Sequence, residues 1–243
     1  MEDLKANLGR VEQAIADACR AAGRRREDVE LMAVSKTYPA ETIAGAARLG
    51  LTLFGENRVQ EFASKAPALE DLRLSGDHPI RIHLIGHLQS NKASKAAEVF
   101  DAVDSLDSLR LARRLDEAAR KLGKCLPMLI EVKLSPEETK EGLEPGSREA
   151  AELLESLADL RNLEMQGLMT IAPWGAEEAV TRACFRSLRE WQDRWASQYP
   201  RLKFDVLSMG MSGDFPLAIA EGATRIRVGT ALFGKRQPYS GPQ

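Results

Sequence analysis

Apolar positions along the chain follow two periods in turn. Leu4, Leu8, Val11 and Ile15 recur at helical spacing, so the chain opens on an amphipathic helix that Gly23 ends. Beyond it, short strand-like apolar runs alternate with longer helical ones. The pattern predicts strands over 30–35, 52–55, 81–85, 102–105, 127–133, 163–169, 204–208 and 224–228. Between them it predicts helices over 40–49, 58–69, 91–99, 106–122, 146–160, 176–198 and 214–221. Alternating β and α with short connections argues for a parallel sheet, and eight strands is the count of a closed (β/α)₈ barrel. An open doubly wound sheet is the alternative, but no G-x-G-x-x-G follows the first strand.

Composition narrows the classes. The 243 residues carry 34 Lys and Arg against 36 Asp and Glu, a formal net charge of −2 that leaves no electrostatic footprint for nucleic acid. Cys19, Cys125 and Cys184 are widely spaced, without a CxxC pair, which fits reduced thiols in a cytoplasmic protein. No run is long and apolar enough for a membrane span, and the acidic N-terminus does not read as a signal peptide. No linker or repeat marks a second domain. The expectation is one barrel domain over 1–243, with a helix in 1–23 and a frayed tail over 235–243.

Chemistry-bearing residues gather where strands stop. Lys36 follows Leu31-Met32-Ala33-Val34-Ser35 and precedes Pro39, which puts an amine at the carboxyl end of the first strand. That end of a parallel barrel is where function sits, and a desolvated lysine there is a nucleophile able to form a Schiff base. Asn57 closes the second strand, as a helix cap or as an amide donor in the mouth. His83 and His87 close the third at a four-residue spacing. Their segment is a strand leading to a glycine, so no metal site is expected from them. Met169, at the end of the sixth strand, is core packing or the floor for a flat ring.

The last third is the most specific. Ser208, Gly210 and Ser212 precede one helix start, and Gly229-Thr230 precede another. Small residues before a helix expose backbone N–H groups, and barrels often build phosphate sites from the loops after strands seven and eight. Arg225 and Arg227 share one face of the eighth strand, aimed at a ligand or paired with a carboxylate from a neighbouring strand.

Val34-Ser35-Lys36, Gly55-Glu56-Asn57-Arg58-Val59-Gln60-Glu61, the run from His83 to Lys92, Gly167-Leu168-Met169, the run from Leu207 to Ser212 and Arg227-Val228-Gly229-Thr230 together resemble the pyridoxal phosphate homeostasis proteins. The resemblance implies a single TIM barrel of the alanine racemase N-terminal-domain type, the third fold type of pyridoxal 5′-phosphate (PLP) proteins. It implies PLP held as a Schiff base on Lys36, its phosphate held by the serine-glycine loop and Gly229-Thr230, and Arg227 facing the pyridine nitrogen. Asn57, His83 and Met169 complete the expected cofactor site. Ile82 and Lys133 depart from the family's usual tryptophan and asparagine.

An arginine on the ring nitrogen leaves the ring a weaker electron sink. No tyrosine stands where it could act as a second acid/base opposed to Lys36. The reading is therefore a PLP carrier in homeostasis without robust catalysis, with PLP-dependent apoenzymes as candidate partners and a monomer as its expected state. A low-activity amino-acid racemase and a Schiff-base aldolase without PLP are the alternatives.

Overall fold

The computed structural model describes residues 2–74, 79–135 and 141–234. The expected tail over 235–243 lies outside them. Helix α1 (Glu2–Ala21) leads, and Gly23 follows it at φ 65°, the left-handed backbone that a glycine takes without steric cost. Strands and helices then alternate as β1 (Glu30–Val34), α2 (Ala40–Ala47), β2 (Leu53–Glu56), α3 (Val59–Lys65) and α4 (Glu70–Leu74). The middle of the chain adds β3 (Arg81–Leu84), α5 (Ala93–Val99), β4 (Ala102–Leu106), α6 (Leu109–Lys121), β5 (Leu126–Glu131) and α7 (Arg148–Leu157). The chain continues with β6 (Leu163–Met169), α8 (Glu178–Gln198), β7 (Val206–Met211), α9 (Phe215–Ala220), β8 (Arg225–Val228) and α10 (Thr230–Phe233).

Among the described residues the eight strands pair in parallel in chain order, and β8 closes on β1 with Met32 opposite Arg227. The closed barrel that the alternating pattern predicts is the fold. Period two along each strand separates two apolar layers. One lies between strands and helices and holds Phe54, Phe62, Phe100 and Phe185, all without accessible surface. The other is a small separate cluster of Met32, Val34, Leu53 and Ile85. Much of the remaining barrel interior is charged, as described below.

Where elements differ from the sequence expectation, local chemistry explains it. The predicted helix over 58–69 stops at Lys65 and tightens into a 3₁₀ turn over Ala66–Leu69, because Pro67 has no N–H for the α-ladder. The predicted starts of α6 and α7 come too early. Ser108 and Ser147 cap these helices, accepting from the Leu111 and Ala150 N–H groups. The seventh strand runs three residues past Ser208, so most of the serine-glycine segment is strand rather than loop.

Candidate functional site

Lys36 sits half-buried in a turn just past β1. Thr37 holds φ at 70°, a left-handed conformation that a β-branched residue rarely adopts. Its N–H donates to Glu61 Oε1 at 2.6 Å. Glu61 is bonded in turn by Lys65 Nζ at 2.7 Å, and Lys65 also reaches Glu56 Oε1 at 3.0 Å. The Ser35 hydroxyl donates to the same Glu56 oxygen at 2.7 Å. Burial pushes the Glu56 carboxyl up, and Lys65 and Ser35 draw it part of the way back. Tyr38 donates its hydroxyl to the Gly234 carbonyl at 2.8 Å and packs on Phe233, tying α10 to the same turn.

The loops after β7 and β8 meet beside that turn. Ser212 Oγ accepts from the Gly229 N–H at 3.4 Å and the Ala231 N–H at 3.5 Å. Both contacts are well beyond the ~2.9–3.0 Å of a settled N–H···O bond, so the two amides are only weakly committed. Gly229 lies so close to β1 that an added Cβ would come within 3.2 Å of the Val34 carbonyl oxygen. The Ser212, Gly229 and Thr230 expected at a phosphate are thus brought together, two residues upstream of Lys36 along β1.

Ser208 and Gly210 are not part of that cup. Ser208 has no accessible surface, and its hydroxyl accepts from Arg227 Nη1 at 2.9 Å. Gly210 takes φ 91° within β7, where a Cβ would stand 2.5 Å from that of Ala218 on α9. Its hydrogen side chain serves close strand–helix packing rather than an exposed amide. Arg227, 4 % exposed, also donates from Nη1 to the Ser208 carbonyl at 2.7 Å and from Nη2 to the Thr170 carbonyl at 2.8 Å. Its Nε takes no partner among the described residues. Burial draws this guanidinium down from the usual arginine range, while Glu131, Asp104 and Asp214 oppose the shift.

Two further expectations move inward. His83 is 3 % exposed, and its Nδ1 lies 3.0 Å from Asp104 Oδ1 inside the barrel. Asp104 Oδ2 accepts from Arg225 Nη1 at 3.2 Å, and Arg225 Nε donates to Glu30 at 2.8 Å. Burial works against ionised Asp104, but His83, Arg225 and Arg227 outweigh it and hold the carboxyl below its ordinary range. Arg225 therefore takes the structural role of pairing with neighbouring carboxylates, and His83 completes the network. Met169 has no accessible surface and stands in register with Glu131 and Ser208, which puts it on their face of the sheet and outside both apolar clusters.

The opposite side of the mouth was less legible. Asn57 does not cap α3, whose N-cap is Arg58 without a side-chain bond. Its Oδ1 is buried and unpartnered. It lines a cleft of ≈ 250 Å³ with Gly86, His87, Glu131, Lys133 and Glu141. Glu131, at the end of β5, is 6 % exposed and lacks a hydrogen bond to its carboxyl among the described residues. Burial raises it to about 7, with Arg227 opposing and Asp107 and Glu141 reinforcing. The sequence signal was available, since a carboxylate ends the apolar run Met128-Leu129-Ile130 just as Lys36 follows its own. His83 and His87 engage different carboxylates, and His87 Nδ1 lies 3.2 Å from Asp107 Oδ2.

Known proteins share this fold. The family described as alanine racemase, N-terminal domain, matches residues 7–237. A pyridoxal phosphate homeostasis protein of Aquifex aeolicus is 42% identical over 230 residues, 95% of this chain and 97% of that protein. One of Pseudomonas aeruginosa is 41% identical over 242 residues, covering 100% and 99%. The structure of PipY from Synechococcus elongatus with PLP bound superposes with a TM-score of 0.79 at 44% identity, over 90% of this chain and 100% of that one. An alanine racemase of Clostridium difficile shares the fold, with a TM-score of 0.75 at 15% identity over 97% of this chain and 57% of its own. None of the described helices is long and apolar enough to cross a membrane. A matched barrel from end to end and full-length relatives at this identity place the chain in the family of the pyridoxal phosphate homeostasis proteins.

Proposed function

We propose that this protein binds PLP and serves its homeostasis in the cytoplasm, as a single barrel domain without robust catalysis. The observation that carries the reading is the meeting of the β7 and β8 loops with the end of β1. Gly229 touches Val34 while its own N–H and that of Ala231 are held only at 3.4 and 3.5 Å. Weakly committed amides suit a phosphate, and Lys36 lies within the same corner of the mouth. The orphaned Oδ1 of Asn57 is a further polar group that a bound ring could satisfy. The residues present fit the cofactor.

When bound, PLP would supply an aldehyde carbon open to a lysine amine and an electron-withdrawing ring. Lys36 is the attachment point, oriented by the turn that Glu61 anchors. Ser212, Gly229, Thr230 and the Ala231 N–H hold the phosphate. Arg227, fixed by Ser208 and Thr170, presents Nε–H as a donor and keeps its own proton, so an acceptor facing it stays unprotonated. Ser208 acts by placing Arg227 rather than by touching the phosphate. PLP-dependent apoenzymes are the partners that this reading suggests, with the protein acting as a monomer.

Borohydride reduction followed by peptide mapping tests the assignment. The label is expected on Lys36, and a label on another lysine of the wild-type protein overturns it. A slow racemase-type exchange is the second reading, favoured by one observation. Glu131 on β5 stands across the closed ring from β1, with a carboxyl raised to about 7, in the range of a general acid/base. Exchange of the Cα proton of alanine in deuterated buffer, present in wild type and lost in Glu131→Gln, would move the weight to that reading.

A further inference from the structure

We propose a divalent transition-metal site of the zinc class on the rim of the barrel, formed by His87, Asp107 and Glu141. The three residues come from the segments after β3, β4 and β5, which are neighbours in the barrel. Their ligand atoms lie within 4.8 Å of one another. His87 Nδ1 is 3.2 Å from Asp107 Oδ2 and 3.8 Å from Glu141 Oε2. Zinc bonds of about 2.0–2.2 Å to nitrogen and oxygen set tetrahedral ligands about 3.4 Å apart. The donors therefore stand near coordinating separation already, and three protein ligands leave a fourth position for water or a small anion.

The segments that carry them are fastened. The Ser105 hydroxyl donates to the Gly86 carbonyl at 2.7 Å, next to His87. Ser108 Oγ bonds Asp107 Oδ1 at 3.0 Å, leaving Oδ2 towards the histidine. Leu143 donates to the Glu131 carbonyl at 2.8 Å and accepts from the Lys133 N–H at 2.9 Å, pinning the stretch after Glu141 to β5. Outer bonds of this kind orient metal ligands.

An independent feature of the same cleft also calls for a cation. Glu131 is 94 % buried by its 6 % exposure, lines the cleft with His87 and Glu141, and has neither a hydrogen bond nor an ion pair to its carboxyl among the described residues. Asn57 Oδ1, a second acceptor in that cleft, is unpartnered as well. Acceptors without donors are the complement of a positively charged ligand. An ion pair between His87 and the two carboxylates would explain the rim contacts but leaves the Glu131 carboxyl unsatisfied.

Titration of the full-length protein with Co²⁺ and Zn²⁺ in phosphate-free buffer tests the site, and it does not depend on whether PLP is bound. One equivalent of Co²⁺ should give visible d–d absorbance, and calorimetry should give a Zn²⁺ Kd tighter than about 100 µM. His87→Ala should abolish the band, and Glu141→Gln should weaken Zn²⁺ binding by at least about tenfold. Both residues are exposed, so neither change threatens the core. Cys125 is an exposed thiol, and Cys125→Ser should leave the titration unchanged. No band and no heat at 100 µM metal, a band that survives His87→Ala, or one lost in Cys125→Ser would each overturn the proposal.

Discussion

The two sides of the barrel mouth are built on opposite terms. On the side of β7, β8 and β1, almost every polar group has a protein partner. Arg227 spends both Nη atoms on Ser208 and Thr170, and the Lys36 turn is tied to Glu61 and, through Tyr38, to Gly234. On the side of β2 and β5, Asn57 Oδ1 is a buried orphan, and the Glu131 carboxyl, 6 % exposed and facing the cleft, has no hydrogen bond among the described residues. The first side is a finished mould whose weak points are two long amide contacts. The second holds electrostatic debt, which a ligand can relieve. Preorganisation dominates one side of the cavity and unsatisfied demand the other, with Thr37 Oγ1 the buried orphan of the first.

The largest test of this contrast is Arg227→Leu. Removing one partner from a buried charged network is expected to destabilise by about 3–5 kcal/mol, because Ser208, Thr170 and Asp104 lose their cation. Urea unfolding measures it. A loss below 1 kcal/mol would mean that the finished side is less interlocked than its bonds suggest.

Glu131→Gln tests the other side, with the opposite sign. A carboxyl raised from 4.5 to about 7 by burial opposes folding when ionised. Stability is intact below the unfolded value and is lost as pH rises through the folded one, a loss of about 3 kcal/mol once complete. The glutamine variant should therefore be more stable than wild type at pH 8 by up to this amount, and no more stable at pH 4. Parallel stability profiles across that range would refute the assignment.

Ser212→Ala comes next, since it touches the weak points of the finished side. PLP affinity should fall by roughly 1.5–3 kcal/mol, about tenfold to a hundredfold, while pyridoxal without phosphate changes little. Equal losses for both ligands would make Ser212 a loop brace only. Asn57→Ala has the smallest expected effect on the folded protein, within about 0.5 kcal/mol, because its orphaned oxygen contributes no bond to lose. A larger drop in melting temperature would show a partner that the geometry does not contain.

Legibility followed the same divide. Lys36, Ser212, Gly229 and Thr230 announce themselves by residue type and by position at strand ends, and they are found together. The barrel was legible from alternation alone, because eight apolar runs separated by helices leave few other ways to bury both layers. Ser208 and Gly210 read as loop residues but lie within β7, and His83 is bonded to Asp104 inside the barrel. For the serine-glycine segment the reason is that β7 extends to Met211, past the end that the apolar run suggests at Ser208. Glu131 and the Glu56–Lys65–Glu61 cluster went unread because a charge in a sequence looks solvated until its burial is known. Asp104 and Arg225, 121 residues apart, meet through barrel closure, which no local pattern encodes.

Thr37 carries one more consequence. A β-branched residue at φ 70° is held there against a local preference of about 1–3 kcal/mol, with Glu61 as the latch on its N–H. Glycine at this position would remove the opposing preference, and the folded chain would gain stability while the lysine beside it gained freedom to swing. In a selection for thermal resistance, residue 37 would be enriched for glycine; in a selection for cofactor retention, the same substitution would be purged. The position works as a tuning peg, tightened at the expense of the instrument's ease.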